Sequence, residues 1–274
     1  MTLRVETAHR GSTLAIHFVH CQPDCHDCGP VEHVAADALV LPLRGVFVKH
    51  YSGRERVVAD ACQALFFRAG EPYRVSHPVA GGDECLVLEP AREITNRIRF
   101  SKSAALDAQL IARRELLRHR LERRLAPALE AEETALALFS RIGRLAPPAA
   151  AASGRARARQ EEMVEAVRIT LATRPGENWT LGELAKRVYS SPFHLARIFR
   201  ALAGLPLHRY HLRARMAAAL REVLDTSRDL TAIGLDLGFS SHSHFTASFR
   251  STFGMAPSAL RKSRNLTAES TLAP

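Results

Sequence analysis

Ile233 to Arg261 reads IGLDLGFSSHSHFTASFRSTFGMAPSALR. Leu230, Ile233 and Leu237 mark the inner face of a short helix that stops at Gly238. Ser241 then opens a second helix, whose inward positions are Phe245, Phe249 and Phe253 at helical spacing. Leu181 to Gly204 has the same build. Thr180 is placed to cap a helix through Val188, with Leu181, Leu184 and Ala185 inward. Ser191 and Pro192 open the next helix as cap and first helical residue; Leu195, Ile198 and Phe199 face inward, and Gly204 ends it. A long helix from about Pro206 through Leu224 joins the two segments, with Tyr210, Leu212, Met216, Ala219, Leu220 and Leu224 inward. The pattern predicts two helix-turn-helix units on one connecting helix, a build that lays two helices into neighbouring major grooves.

The residues left outward on these helices are the candidate DNA contacts. They are Phe193, His194, Ala196, Arg197 and Arg200 in the first unit, and His242, Ser243, Thr246, Ala247 and Arg250 in the second. Arg197 is suited to a bidentate pair with guanine. Arg200 and Arg250 are suited to phosphates, which give affinity without sequence information. Arg209, Arg213, Arg215 and Arg221 on the long helix are further phosphate candidates. Charge agrees with this placement: residues 1–100 carry 11 Lys and Arg against 12 Asp and Glu, whereas the remainder carries 27 against 16. The basic balance therefore belongs to the C-terminal part, as expected when one body meets a polyanion and the other does not.

From Ser12 to about Phe100 the apolar runs are short. Leu14–Val19, Ala38–Leu41, Gly45–Val48, Gln63–Phe67 and Cys85–Leu88 are separated by turn signals at Ser52-Gly53, Gly70-Glu71-Pro72 and Gly81-Gly82-Asp83. This predicts a β-sandwich, jelly roll or small barrel. Ser103 to Gly143 reads instead as two helices, the first with Leu106, Leu110, Leu117 and Leu121, the second after Pro127 with Leu129, Leu136 and Leu138. Such a pair either packs on its own β-domain or offers a surface to a partner subunit. Pro147-Pro148 and the small residues around them read as a linker.

At this point Ile233, Gly238, Phe239, Phe245, Phe249, Phe253, Gly254, Pro257 and Arg261 resemble the signature of the AraC-type transcription regulators. Leu184, Ala185, Ser191, Leu195, Arg197, Phe199 and Gly204 match it in the first unit. The resemblance covers about residues 157–262. It implies a multidomain α and β chain divided into a cupin-like sensor barrel at 1–100, a helical dimerisation or packing segment at 101–145, a linker at 146–156 and a double helix-turn-helix DNA-binding domain at 157–265. Gly70 to Pro78 resembles the Pro-rich rim of cupin-like sensor domains, with Arg74 and His77 as rim candidates, although the two-His-plus-Glu pattern of metal cupins is absent. Two positions depart from the family. Gly234 stands where Ala is usual, which is expected to loosen its helix, and Ala247 stands where a longer polar residue is common.

Cys21, Cys25 and Cys28 fall within eight residues, and Cys25-x-x-Cys28 is a usual chelate spacing for zinc. Cys85 is the candidate fourth ligand, with His20 or His26 as substitutes; Cys62, in an apolar stretch, reads as a buried small residue. A structural zinc site, a thiol sensor and cysteines with no role all fit this spacing. The resulting expectation is a cytoplasmic homodimer that binds double-stranded promoter DNA, carries thiolate-bound zinc, answers an unidentified effector and contacts RNA polymerase. No serine elbow, phosphate loop or carboxylate pair predicts an enzyme, and no apolar run is long enough to span a bilayer. The alternatives are an Ada-like methyl acceptor, whose family uses two separated Cys pairs, and a constitutive DNA binder with a purely structural zinc site.

Overall fold

The computed structural model describes residues 2–23, 29–52, 55–96, 101–145 and 155–264. Its N-terminal part has nine strands: β1 (Thr2–Arg10), β2 (Leu14–Gln22), β3 (Ala38–Arg44), β4 (Phe47–His50), β5 (Arg56–Ala59), β6 (Gln63–Phe67), β7 (Arg74–Ser76), β8 (Asp83–Pro90) and β9 (Ser103–Ala105). A one-turn helix, α1 (Arg92–Thr95), follows β8, and α2 (Ala108–Glu122) and α3 (Ala128–Gly143) follow β9. The C-terminal part is helical: α4 (Arg155–Thr173), α5 (Leu181–Arg187), α6 (Pro192–Ala203), α7 (Leu207–Asp225), α8 (Leu230–Asp236), α9 (His242–Phe253) and α10 (Pro257–Ser263).

The strands form two antiparallel sheets, one in the order β1-β2-β8-β3-β6-β9 and the other β5-β4-β7. Strand periodicity divides the large sheet into two apolar faces. Leu14, Ile16, Leu39, Leu41, Leu86 and Leu88 join the cluster shared with α2 and α3. Alternate residues Ala38, Val40, Leu65, Phe67 and Cys85 turn the other way and pack with Phe47 and Tyr73 beside the small sheet. A sheet covered on both faces explains why β3 and β6 are apolar at nearly every position. The arrangement is a two-sheet sandwich; among the described residues the sheets do not close into the expected cupin-like barrel.

Helices α2 and α3 pack on the chain's own β-domain, and α2 also packs against α7. The contact with α7 encloses α2, so Arg114, Glu115, Arg118 and His119 are as buried as its leucines. The open surface expected for a partner subunit is therefore not available on α2; Leu129 on α3 is exposed. Ser103 begins a strand, not the predicted helix, and the helix starts after Asp107, whose side chain accepts from Leu110 N. The linker expected at 146–156 lies mostly outside the described residues.

The two halves meet along a polar seam. Asp60 accepts from Arg168 Nη2 on α4 (2.9 Å) and from the Tyr210 hydroxyl on α7, while Arg168 also donates to Val58 O (2.9 Å). Asp225 at the end of α7 accepts from Arg118 Nη2, which lies 2.9 Å from each of its oxygens, and pairs with His119 Nδ1 at 3.0 Å. Burial alone would raise the Asp225 carboxyl, but the His119 and Arg118 contacts outweigh it and hold the group below its ordinary value. Arg221 pairs with Glu84 of β8, and Arg213 donates to Leu106 O (2.9 Å). Apolar contacts continue the seam, with Val46, Val48 and Val58 against Ile169 and Ala172 of α4.

Candidate DNA interface and metal-ligand cluster

The helices of the two helix-turn-helix units, α5, α6, α8 and α9, each start at a capping side chain. Thr180 and Glu183 form a reciprocal capping box at α5. Ser191 accepts from His194 N at the start of α6, Asp229 from Ala232 N at α8, and Ser241 from His244 N at α9. Gly204 and Gly254 close α6 and α9 in the left-handed conformation, where a side chain would be strained. Phe239, Phe245, Phe249 and Phe253 then stack in succession, with ring centroids 4.8–5.7 Å apart.

This packing leaves one face of each capped helix outward. On α6, Phe193, Arg197 and Arg200 are exposed along a single stripe, while His194 and Ala196 are half-buried beside it. Arg197 Nη2 lies 3.3 Å from His194 Nδ1. On α9, His242, Ser243, Ala247 and Arg250 are exposed and Thr246 is half-buried. The His242 ring sits between Thr231 Oγ1 of α8 (3.3 Å) and Thr246 Oγ1 (3.4 Å), which orients it across the turn. The guanidinium groups of Arg200 and Arg250 make no hydrogen bond or ion pair with another described residue. Tyr189, in the turn between α5 and α6, was not singled out from sequence, yet it is 91% exposed.

The arginines of α7 behave differently from expectation. Arg213 and Arg221 are engaged in the seam, and Arg215 spans the two helix-turn-helix units from within. Its guanidinium donates to Pro175 O (2.8 Å), Glu177 O (2.9 Å) and Asn178 Oδ1 (2.9 Å) ahead of the first unit, and to Gly238 O (3.3 Å) in the turn of the second. A Cβ at Gly238 would stand 2.4 Å from Gly176 O and 2.7 Å from Arg215 Nη2. Only Arg209 of the four remains exposed.

Gly234 also takes a different role from the expected loosening. A Cβ there would lie 2.8 Å from Phe245 Cβ, so the glycine lets α8 and α9 approach closely. Gly234→Ala is expected to lower stability by about 1–3 kcal/mol through overpacking. Urea unfolding of the full chain checks this: a helix merely relieved of a flexible glycine would gain stability instead.

Of the expected cysteine ligands, Cys21 and Cys85 fall among the described residues. Cys25 and Cys28 lie outside the described residues. Cys21 on β2 pairs in register with Asp83 on β8, and Cys21, His77 and Asp83 offer ligand atoms all within 4.8 Å of one another. His77, read from sequence as a rim candidate, is 2% exposed, with Nε2 2.7 Å from Asp83 Oδ1. Cys85 does not join this group but donates its thiol to the other oxygen of Asp83, at 3.3 Å. Burial and the carboxylates of Asp83 and Glu32 push the Cys21 thiol up to about 11; burial also raises Cys62, to about 12, and Cys85. Thiols so protonated are poor nucleophiles.

Gly82 fixes the local geometry. At φ +70° it brings the turn so close to β2 that a Cβ would stand 2.0 Å from Cys21 O. Cys21 and Asp83 border a cleft of about 980 Å³ between the halves, which Tyr210, Arg221 and Asp225 also line. Lys49, a second feature missed from sequence, is wholly buried in the sandwich. Its ammonium donates to Phe66 O at 3.0 Å and lies 3.7 Å from the Phe67 ring centroid, and burial lowers its pKa to about 8.

The C-terminal geometry defines a double helix-turn-helix module. Residues 184–263 match the helix-turn-helix domain family. The chain is 36% identical over 89 residues to the HTH-type transcriptional regulator ArgR of Pseudomonas aeruginosa, covering 32% of this chain and 26% of that protein. It is 28% identical over 86 residues to the bifunctional transcriptional activator/DNA repair enzyme AdaA of Bacillus subtilis, covering 31% and 41% respectively. A crystal structure of a transcriptional regulator from Chromobacterium violaceum, described as carrying an AraC-type DNA-binding domain, aligns at 26% identity over 41% of this chain and 97% of that one, with a TM-score of 0.35. Over residues 184–263 the C-terminal region is similar to the helix-turn-helix domains of transcriptional regulators. The chain spans 26% of the length of ArgR and 41% of that of AdaA. Among the described residues no helix is long and apolar enough to cross a membrane.

Proposed function

We infer that the protein is a sequence-specific transcription regulator that binds double-stranded promoter DNA through α6 and α9, with the N-terminal domain serving as sensor. The observation that carries this reading is the pair of serine-capped helices with outward polar faces, held on one module by α7 and Arg215. Phe193, His194, Ala196 and Arg197 face bases in one major groove, and His242, Ser243, Thr246 and Ala247 face those in the next. Arg200 and Arg250 meet phosphates. The working form is a cytoplasmic homodimer whose pairing surface includes α3, and RNA polymerase and a small effector are its further partners. The seam supports communication, since Asp60 and Glu84 tie the sandwich to α4 and α7, and Asp225 of α7 is tied to Arg118 of α2.

Selection of bound duplexes from a random pool tests the reading. The expected product is a bipartite motif; recovery of unenriched sequence would refute it. Within that motif, Arg197→Ala is expected to cost about 1–3 kcal/mol and to relax the preference at one base pair. Competition gel shifts against single-base variants measure it. An equal loss on every sequence would make Arg197 a phosphate anchor instead.

A further inference from the structure

We propose that Cys21, His77 and Asp83 bind one divalent cation of the zinc class at the edge of the sandwich, beside the cleft between the halves. The three donors come from β2, from the segment after β7 and from β8, and they already converge within 4.8 Å of one another. One sulfur, one imidazole nitrogen and one carboxylate oxygen form a donor set for zinc, whereas magnesium and calcium take oxygen ligands. Tetrahedral zinc bonds of 2.0–2.3 Å would set these donors about 3.3–3.6 Å apart. Cys21 has only to move inward, while the His77–Asp83 pair, now 2.7 Å apart, opens by less than about 1 Å as its hydrogen bond gives way to the ion. The Cys21 thiol gives its proton to water, and a neutral His77 ring keeps its own proton on Nδ1, which leaves Nε2 to bind the cation.

The surroundings suit such a site. His77 and Asp83 are 2% and 7% exposed, so the donors are desolvated, while Cys21 is half-buried and borders the cleft by which an ion enters. Cys85 holds the second oxygen of Asp83 and orients the carboxylate from behind. Gly45 and Gly82, both at positive φ, lock the Asp83 turn against the end of β2: a Cβ at Gly45 would stand 2.2 Å from Gly82 O. Three protein ligands leave a fourth position toward the cleft for water or another donor. Asp83 is followed directly by Glu84, the partner of Arg221 on α7, so the ion would sit one residue from the seam.

Cobalt titration of the full chain, freed of metal by a chelator and kept reduced, provides the test. One equivalent of Co²⁺ is expected to give thiolate-to-cobalt charge-transfer absorption that stoichiometric Zn²⁺ abolishes. Cys21→Ser should remove that band, and His77→Gln and Asp83→Asn should each weaken binding by more than about 100-fold, beyond the 10–100-fold typical of outer-shell changes. Cys62→Ala and the double variant Cys25→Ser/Cys28→Ser should keep both band and affinity. Thermal unfolding in chelator shows whether each variant folds, and zinc should raise the Tm of wild type but not of Asp83→Asn. Loss of the band in the Cys25/Cys28 variant with retention in the His77 and Asp83 variants would overturn the proposal, as would no cobalt binding to wild type. Because no DNA is present, either failure leaves the regulator reading untouched.

Discussion

Asp60→Ala is expected to remove about 3–5 kcal/mol of stability, the cost of stranding a buried charge by deleting its partner. Asp60 is 1% exposed and serves three elements at once: Arg168 of α4, the Tyr210 hydroxyl of α7 and the Cys62 backbone N–H at 2.8 Å. Without it the Arg168 guanidinium keeps Val58 O and the Tyr210 hydroxyl but no counter-charge. Asp60→Asn, which retains an acceptor and the local turn, should lose less. Urea unfolding followed by tryptophan fluorescence and far-UV circular dichroism measures the effect. Trp179 lies in the C-terminal helical half, whereas circular dichroism reports both halves. The two probes should coincide for wild type and separate for Asp60→Ala if this node couples the halves. An unchanged midpoint would show that the apolar seam alone suffices.

Arg215→Ala should have the largest effect on DNA binding among residues outside the proposed interface. The guanidinium fork fixes the loop ahead of α5 to the turn ahead of α9, and hydrogen bonds from a charged donor contribute about 1.5–3 kcal/mol each when made singly. These bonds act as one unit, so a loss of about 2–4 kcal/mol in stability is expected rather than their sum. Lysine should not rescue, because a single ammonium cannot replace the planar fork. The diagnostic is a comparison of DNA probes. Affinity for a duplex carrying both half-sites should fall much further than affinity for a duplex carrying one. Equal losses on both probes would make Arg215 a direct phosphate contact, as the sequence had suggested.

The helical module was legible because each boundary is written locally. Ser191, Ser241, Gly204 and Gly254 are caps, and the phenylalanine spacing of α9 states which face is buried. Strands β3, β6 and β8 were legible as apolar runs bounded by turns. Strand β1 was not: it pairs only with β2, most of its side chains are exposed, and an edge strand of this kind leaves no burial pattern to read. Helix α2 misled for the opposite reason, since both its sides are enclosed and its buried charges look like a solvated face. The same blindness hid the arginines of α7, whose partners Glu84, Leu106 and Gly238 are brought to them only by the tertiary fold. Cys21 was singled out from its neighbours in sequence, but Asp83 reaches it through the pairing of β2 with β8, and His77 through its contact with Asp83. The Gly81-Gly82 turn was the one local hint of that approach.

The central claim is that α6 and α9 read two adjacent major grooves as one rigid unit. Gel-shift affinities for duplexes in which the spacer between the two half-sites is varied test it most directly. The account predicts tightest binding with half-site centres about one helical turn, 10–10.5 base pairs, apart. It further predicts a collapse to single-half-site affinity when about half a turn is inserted, because α7 and Arg215 prevent the second helix from following the groove. Affinity that is independent of spacer length would contradict it.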